Sequence, residues 1–265
     1  MLYLGYILAI VVGVSLGLIG SGGSILAVPI LVYVFGVDAL EATTMSLFIV
    51  GSTAFVGGIT NLLSNKIHWK TIAIFGLPTL IVVYLTRNWI LPKIPVVLAR
   101  FNQFTLTKDI FLMVLFGLVM LVASFAMIRP INKKKTLVID FPEPINYTLL
   151  FMMSLLIGIV TGLVGAGGGF LIVPALIYFA KLSMKRAVAT SLFLIFINAY
   201  FGFFISVSDF NEINWPILSF FTFFSIFGIF VGQQIAKRVD GDKLKGGFGW
   251  FVLIMGFIIV FSELT

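Results

Sequence analysis

Two glycine clusters are the residues in this chain best placed to do chemistry: GSGGS at 20–24 and GAGGG at 165–169. Each lies in the middle of an apolar block, 2–35 or 147–180, that is too long for one ordinary span of ~20 residues. A glycine cluster ends a helix there. The half-helix that begins after it, at about Ser24 or Gly169, presents free N–H groups and the positive end of its dipole. Such an end suits an anion. The candidate binding residues are therefore Ser21, Gly22, Gly23 and Ser24 in the first cluster, and Gly167, Gly168 and Gly169 in the second. Pro29 and Pro174 are expected in the first turns of the half-helices, where a missing N–H costs least. The competing reading is that the glycines only let helices pack closely.

The apolar block that follows each cluster carries a polar stripe. It reads Ser46, Thr53, Gly57, Asn61 in one block and Ser191, Asn198, Gly202, Ser206 in the other, with Thr44 and Thr190 close by. Steps of seven, four and four keep these residues near one face of a helix. Hydroxyls and amides can donate to an oxyanion without carrying charge; the alternative is hydrogen bonding between helices. No Asp, Glu, Lys, Arg or His is expected deep in a span. That argues against a carboxylate proton relay and against a metal site, and it suits a small anion held by neutral donors, or a neutral solute. Arg87, Lys181 and Arg186 sit at span ends, where they draw anions to a vestibule or serve as snorkelling anchors.

Composition places these elements in a bilayer. Of 265 residues, 60% are hydrophobic and 10% charged, against roughly 25% charged in soluble domains. The net charge of +7 reports topology rather than nucleic-acid binding, because the basic residues lie between apolar blocks. There is no Cys, so disulfide and thiolate chemistry are excluded. The N-terminus lacks the basic start of a cleavable signal peptide. No cofactor motif is present. The expected partners are a small anionic substrate and membrane lipids, with H⁺ or Na⁺ as a potential coupling ion, and no nucleic acid.

The chain repeats itself. Residues 17–57 align with 162–202 without a gap, with 16 of 41 positions identical, and NKIHWK at 65–70 echoes NEINWP at 211–216. The expected fold is all-α: two inverted-topology repeats, each a glycine-broken helical hairpin followed by three transmembrane helices. The first repeat covers 1–128, a basic cytoplasmic linker 129–146, and the second repeat 147–265. The broken block returns the chain to its starting side, either as a re-entrant hairpin or as two short spans. Each half then has an odd number of net crossings, so the second is upside down. In that arrangement 13 of the 17 basic residues fall on one side, which the positive-inside rule makes cytoplasmic. Both termini are expected on the outer face of the plasma membrane. Residues 88–108, with Pro92 and Pro95, read as a connection with an interfacial helical turn.

Internal repeats with broken helices are a transporter signature. A channel shares that architecture. An intramembrane hydrolase would need a base beside Ser21 or Ser24, and the one histidine, His68, lies at a membrane edge, so no enzyme is expected. The segments GLIGSGGSILAVPIL and GLVGAGGGFLIVPALIY, with the A-x-x-x-S-L-F runs Ala42–Phe48 and Ala187–Phe193, resemble the sulfite exporter TauE/SafE family of permeases. Pro29 and Pro174 each follow the first glycine of a cluster by nine residues. The resemblance covers nearly the whole chain. It implies transport of sulfite, sulfonates or related organic anions, and points to Gly22, Gly23, Gly167, Gly168 and the Thr/Ser pairs near 44–46 and 190–191. Thr44-Met45-Ser46 stands where the second half has Ala189-Thr190-Ser191, and Ser24 where it has Gly169, so the two half-sites are expected to contribute unequally.

Overall fold

The computed structural model describes residues 2–20, 23–62, 67–101, 104–128, 146–164, 169–207, 213–239 and 241–264. Ser21, Gly22, Gly167, Gly168 and most of the expected linker lie outside them. The described residues form ten helices, five in each half. The first five are α1 (Leu2–Ile19), α2 (Gly23–Tyr33), α3 (Ala39–Leu62), α4 (Trp69–Lys93) and α5 (Lys108–Ile128). The second five are α6 (Tyr147–Val164), α7 (Gly169–Tyr178), α8 (Met184–Ser206), α9 (Trp215–Ala236) and α10 (Gly241–Leu264). Six of them, α3, α4, α5, α6, α8 and α9, are long and apolar enough to cross a bilayer. Large apolar side chains cover the outside, including Leu77 and Ile81 of α4, Phe223 and Phe227 of α9 and Phe257 of α10. This is an outer surface suited to lipid.

The first broken block is an unequal hairpin. At 1.5 Å per residue, the 18 residues of α1 reach about 27 Å and the 11 residues of α2 only about 16 Å. The chain returns to its starting end, since the ring of Phe35 lies 5.8 Å from that of Tyr6. Gly20 makes the turn at φ +75°, a left-handed conformation that ends a helix at little cost for glycine. Pro29 and Pro174 are not in the first turns. They stand at the seventh residue of α2 and the sixth of α7, where each offers no N–H to the carbonyl one turn earlier.

Helices pack here through small residues, because lipid provides no hydrophobic drive between them. A side chain on Gly13 would collide with the carbonyl of Ser225, and one on Gly17 with that of Ile229. Gly228 and Gly232 meet the α1 backbone at Ile10 and Val14 in the same way. Residue numbers rise together along α1 and α9, so the two run parallel. α6 and α4 make the matching parallel pair, with Gly158 against Thr79 and Val82 and Gly162 against Thr86. α3 and α8 instead pack antiparallel: Phe48 meets Phe203 and Phe55 meets Phe196. α5 and α10 are antiparallel too, with Gly117 against Gly256 and Val260, and Gly249 against Met127 and Ile128. α3 and α8 are the most deeply buried of the spans.

The connection at 88–108 differs from expectation. α4 runs on through a π-helical turn, Thr86–Ile90, and a 3₁₀ turn, Leu91–Lys93. Pro92 is tolerated because it sits at the start of that last turn. A β-hairpin follows, Val97–Phe101 against Phe104–Thr107, and the alternating apolar and β-branched residues of the second strand suit an extended chain.

These contacts make a differential prediction. Gly13→Ala lowers the thermal stability of the purified protein and broadens its size-exclusion peak, because the new methyl has no room beside Ser225. Gly58→Ala, with open space above its Cα, leaves stability unchanged or raises it by up to about 1 kcal/mol through helix propensity.

Candidate functional site

The first break is closed by α8. Gly20 lies against Val188 and Ser191, and its carbonyl, 3.0 Å from Ser191 Oγ, shares that hydroxyl's one proton with the Val188 carbonyl at 2.9 Å. The neighbouring Thr190 Oγ1 accepts from the backbone N–H of His68 at 3.1 Å. This consecutive pair, both fully buried, thus joins the end of α1 to the start of α4. His68 caps α4 through Nδ1, which lies 2.8 Å from Thr71 Oγ1. Burial first, then Arg186 and Lys70, lower its pKa below the ordinary histidine value, which favours the neutral imidazole. Gly23 is packed: a side chain there would meet the Val12 carbonyl and Leu16 of α1. Gly169 is buried at the start of α7. Ser24 lies in the first turn of α2, its side chain outside the described residues.

The polar stripe divides by function. Ser46 Oγ donates to the Thr43 carbonyl at 2.8 Å and Thr53 Oγ1 to the Ile49 carbonyl at 2.7 Å, within their own helix. Asn198 is different. It is fully buried in α8, and neither amide atom has a hydrogen-bond partner among the described residues. Thr44 and Ser206 turn to Arg87 of α4, whose Nη1 donates to Ser206 Oγ at 2.5 Å and to Thr44 Oγ1 at 3.5 Å.

Arg87 corrects one expectation. It stays near a span end, but it is only 5% exposed, so it is enclosed among helices and is not a snorkelling anchor. Its Nε and Nη2 are buried without a hydrogen-bond partner among the described residues, as are Thr86 Oγ1 and Thr161 Oγ1. Unpartnered buried polar groups are costly, and together with Asn198 all of them fall on α4, α6 and α8. The pseudo-equivalent positions on α1, α3 and α9 carry no such group among the described residues. The tryptophans Trp69 and Trp215 start α4 and α9, which sets Thr86 against Gly232 and Arg87 against Gln233; the repeat alignment sets Thr161 against Leu16. The Gln233 amide is bonded at both ends, to the Gly57 carbonyl at 2.9 Å and Thr60 Oγ1 at 3.0 Å. An apolar pocket of ≈ 70 Å³ between α3 and α8, lined by Ala54, Phe55, Gly58, Ile59, Phe193 and Phe196, offers an anion no side-chain donor.

The sequence pattern of the family described as sulfite exporter TauE/SafE matches residues 5–259. The chain belongs to that family. A probable membrane transporter protein of Xylella fastidiosa (strain Temecula1 / ATCC 700964) is 28% identical over 264 residues, covering 95% of this chain and 92% of the relative. The probable membrane transporter protein YunE of Bacillus subtilis (strain 168) is 30% identical over 276 residues, covering 96% of this chain and 93% of the relative. A third, the probable membrane transporter protein MJ0441 of Methanocaldococcus jannaschii, is 31% identical over 121 residues, 43% of this chain and 45% of the relative. No solved structure matches the chain at a significant level. This TauE/SafE protein is therefore a multi-pass membrane protein of a transporter family.

Sequence reasoning placed Thr44, Thr190, Ser191, Asn198 and Ser206 but passed over Thr86 and Thr161 and read Arg87 as an edge residue. The available signal for Arg87 was its place well before Pro92 in an otherwise apolar block. Isosteric changes separate the two kinds of polar group. Thr161→Val and Thr86→Val each remove an unpartnered hydroxyl and raise stability by about 1 kcal/mol. Ser191→Ala removes the bond to Gly20 and lowers stability by about 1 kcal/mol. Thermal unfolding in detergent reads both, and a destabilising Thr161→Val would mean that this hydroxyl is partnered.

Proposed function

We propose that this TauE/SafE protein is a secondary transporter of a small sulfur-containing anion such as sulfite or a sulfonate. It works by alternating access across the plasma membrane, one set of helices rocking against the other around the paired glycine breaks. The observation that carries the reading is the packing of matched helices. α3 against α8 and α5 against α10 run antiparallel, as two inverted halves would, and the two broken hairpins then enter from opposite faces. Broken helices at such an interface are where inverted-repeat transporters bind substrate. The sulfur comes from the family description, and the sign of the charge from the positive dipole ends of the half-helices that begin after the breaks.

In this reading the substrate meets Ser21, Gly22, Gly23, Ser24, Thr44, Ser46 and Thr53 from the first half and Gly167, Gly168, Gly169, Thr190, Ser191 and Asn198 from the second. The linker 129–146 is cytoplasmic, both termini face outward, and H⁺ or Na⁺ is the coupling ion if the cycle is coupled.

Two measurements test it. Liposomes holding the purified protein take up labelled sulfite or a sulfonate with saturable kinetics and show counterflow. A panel in which no sulfur anion moves overturns the substrate, and a non-saturating current overturns the carrier mechanism. A reporter fused after Thr265 is accessible from outside the cell; a cytoplasmic reporter overturns the orientation.

A further inference from the structure

We infer that Arg87 is a preformed receptor for an oxyanion at the end of the bundle where α3 begins and α4 and α8 end. The geometry lies in how its guanidinium is held. Nη1 donates to Ser206 Oγ and Thr44 Oγ1. Those hydroxyls direct their own protons to backbone carbonyls of their helices, Ser206 to Gly202 at 2.6 Å and Thr44 to Leu40 at 3.2 Å. They therefore face Arg87 with lone pairs alone. Held through Nη1, the group keeps Nε–H and Nη2–H free. These two donors lie on one edge of the planar fork, the edge that meets two oxygens of a carboxylate or similar group side by side.

Such a charge is not stable in isolation inside a bundle. A buried cation needs a counter-charge and its donors need acceptors, and no described side chain accepts a hydrogen bond from this edge. A bound anion with two oxygens on one central atom supplies both. Thr86, the preceding residue, adds a buried and unpartnered hydroxyl. The two residues belong to the π-helical turn Thr86–Ile90, a local widening that often marks functional positions. The matched position in the other half, Gln233, is neutral and fully bonded, so the receptor belongs to one end only. Eight residues of α8 separate Ser206 from the unpartnered Asn198, about 12 Å of helix, which places the amide further along the same face.

The ligand class is a small oxyanion: sulfite, a sulfonate or a carboxylate, in preference to a spherical halide. The inference deepens the proposed transport of a sulfur anion and rests on that reading for the sulfur alone. Its test uses the full chain in nanodiscs, titrated by calorimetry with sulfite, methanesulfonate, acetate and chloride, for the wild type, Arg87→Lys and Arg87→Met. The wild type binds at least one of the oxyanions tenfold or more tightly than chloride. Arg87→Lys keeps the charge but loses the fork and weakens that binding at least tenfold; Arg87→Met abolishes it. The anion raises the Tm of the wild type and leaves that of Arg87→Met unmoved, while Arg87→Met without anion unfolds at a higher temperature than the wild type. Wild-type affinity in a monodisperse Arg87→Lys protein, or chloride binding as tight as the oxyanions, overturns the inference. Acetate binding that depends on Arg87, with no sulfur anion bound or moved, keeps the receptor and removes the sulfur. Sulfite transport unchanged in Arg87→Met keeps the transporter and removes the receptor.

Discussion

Backbone-to-backbone contact between helices is the constraint on which this structure depends. In a bilayer, apolar side chains gain nothing by leaving lipid for a neighbouring helix, so close approach and interhelical hydrogen bonds must hold the bundle. The α1–α9 pair achieves this with four glycines, Gly13 and Gly17 on one helix and Gly228 and Gly232 on the other, each lying on the opposing main chain. Ser225 Oγ adds a bond to the Ala9 carbonyl at 3.0 Å. With α1 fixed, its hairpin partner α2 is fixed as well, and Gly20 is held under Ser191.

The second half reuses this frame with one face altered. α6 presents Gly158 and Gly162 as α1 presents Gly13 and Gly17. The helix they meet is α4, which carries Thr86 and Arg87 where α9 carries Gly232 and Gln233. Two small or neutral residues become a hydroxyl and a guanidinium inside the bundle. A duplicated scaffold can tolerate that, because the glycine contacts already hold the helices and the polar groups are not needed for packing. The polar groups left without partners thus mark where stability gives way to another requirement, the pattern expected at functional sites.

Much of the fold was legible residue by residue. Gly20 is a demand of the backbone, at φ +75°, and the matched spacing of Gly20 to Pro29 and Gly165 to Pro174 stands out among interchangeable Leu, Val and Ile. The ends of α4 were not legible. Pro92 and Pro95 read as helix breakers, yet the helix passes through a π turn and accepts Pro92 at the start of its final turn. The strands at 97–101 and 104–107 were hidden by the assumption that such a connection is helical. Within the site, Ser191 and Thr190 were found from their stripe, but their partners, the Gly20 carbonyl and the His68 N–H, are distant in sequence.

The sequence by itself determined the bilayer setting, the two matched halves, the break in the first apolar block of each and the membership of the polar stripe. These follow from local composition and helical period, which need no knowledge of neighbours. Only the tertiary structure decided which polar groups are bonded and which are left open. Arg87 looks like an interface residue along the chain, and Ser46 and Asn198 look equivalent. Burial and hydrogen bonding belong to pairs of helices rather than to single ones, and the packing of α4 against α6 and α8 turned an edge arginine into an enclosed one.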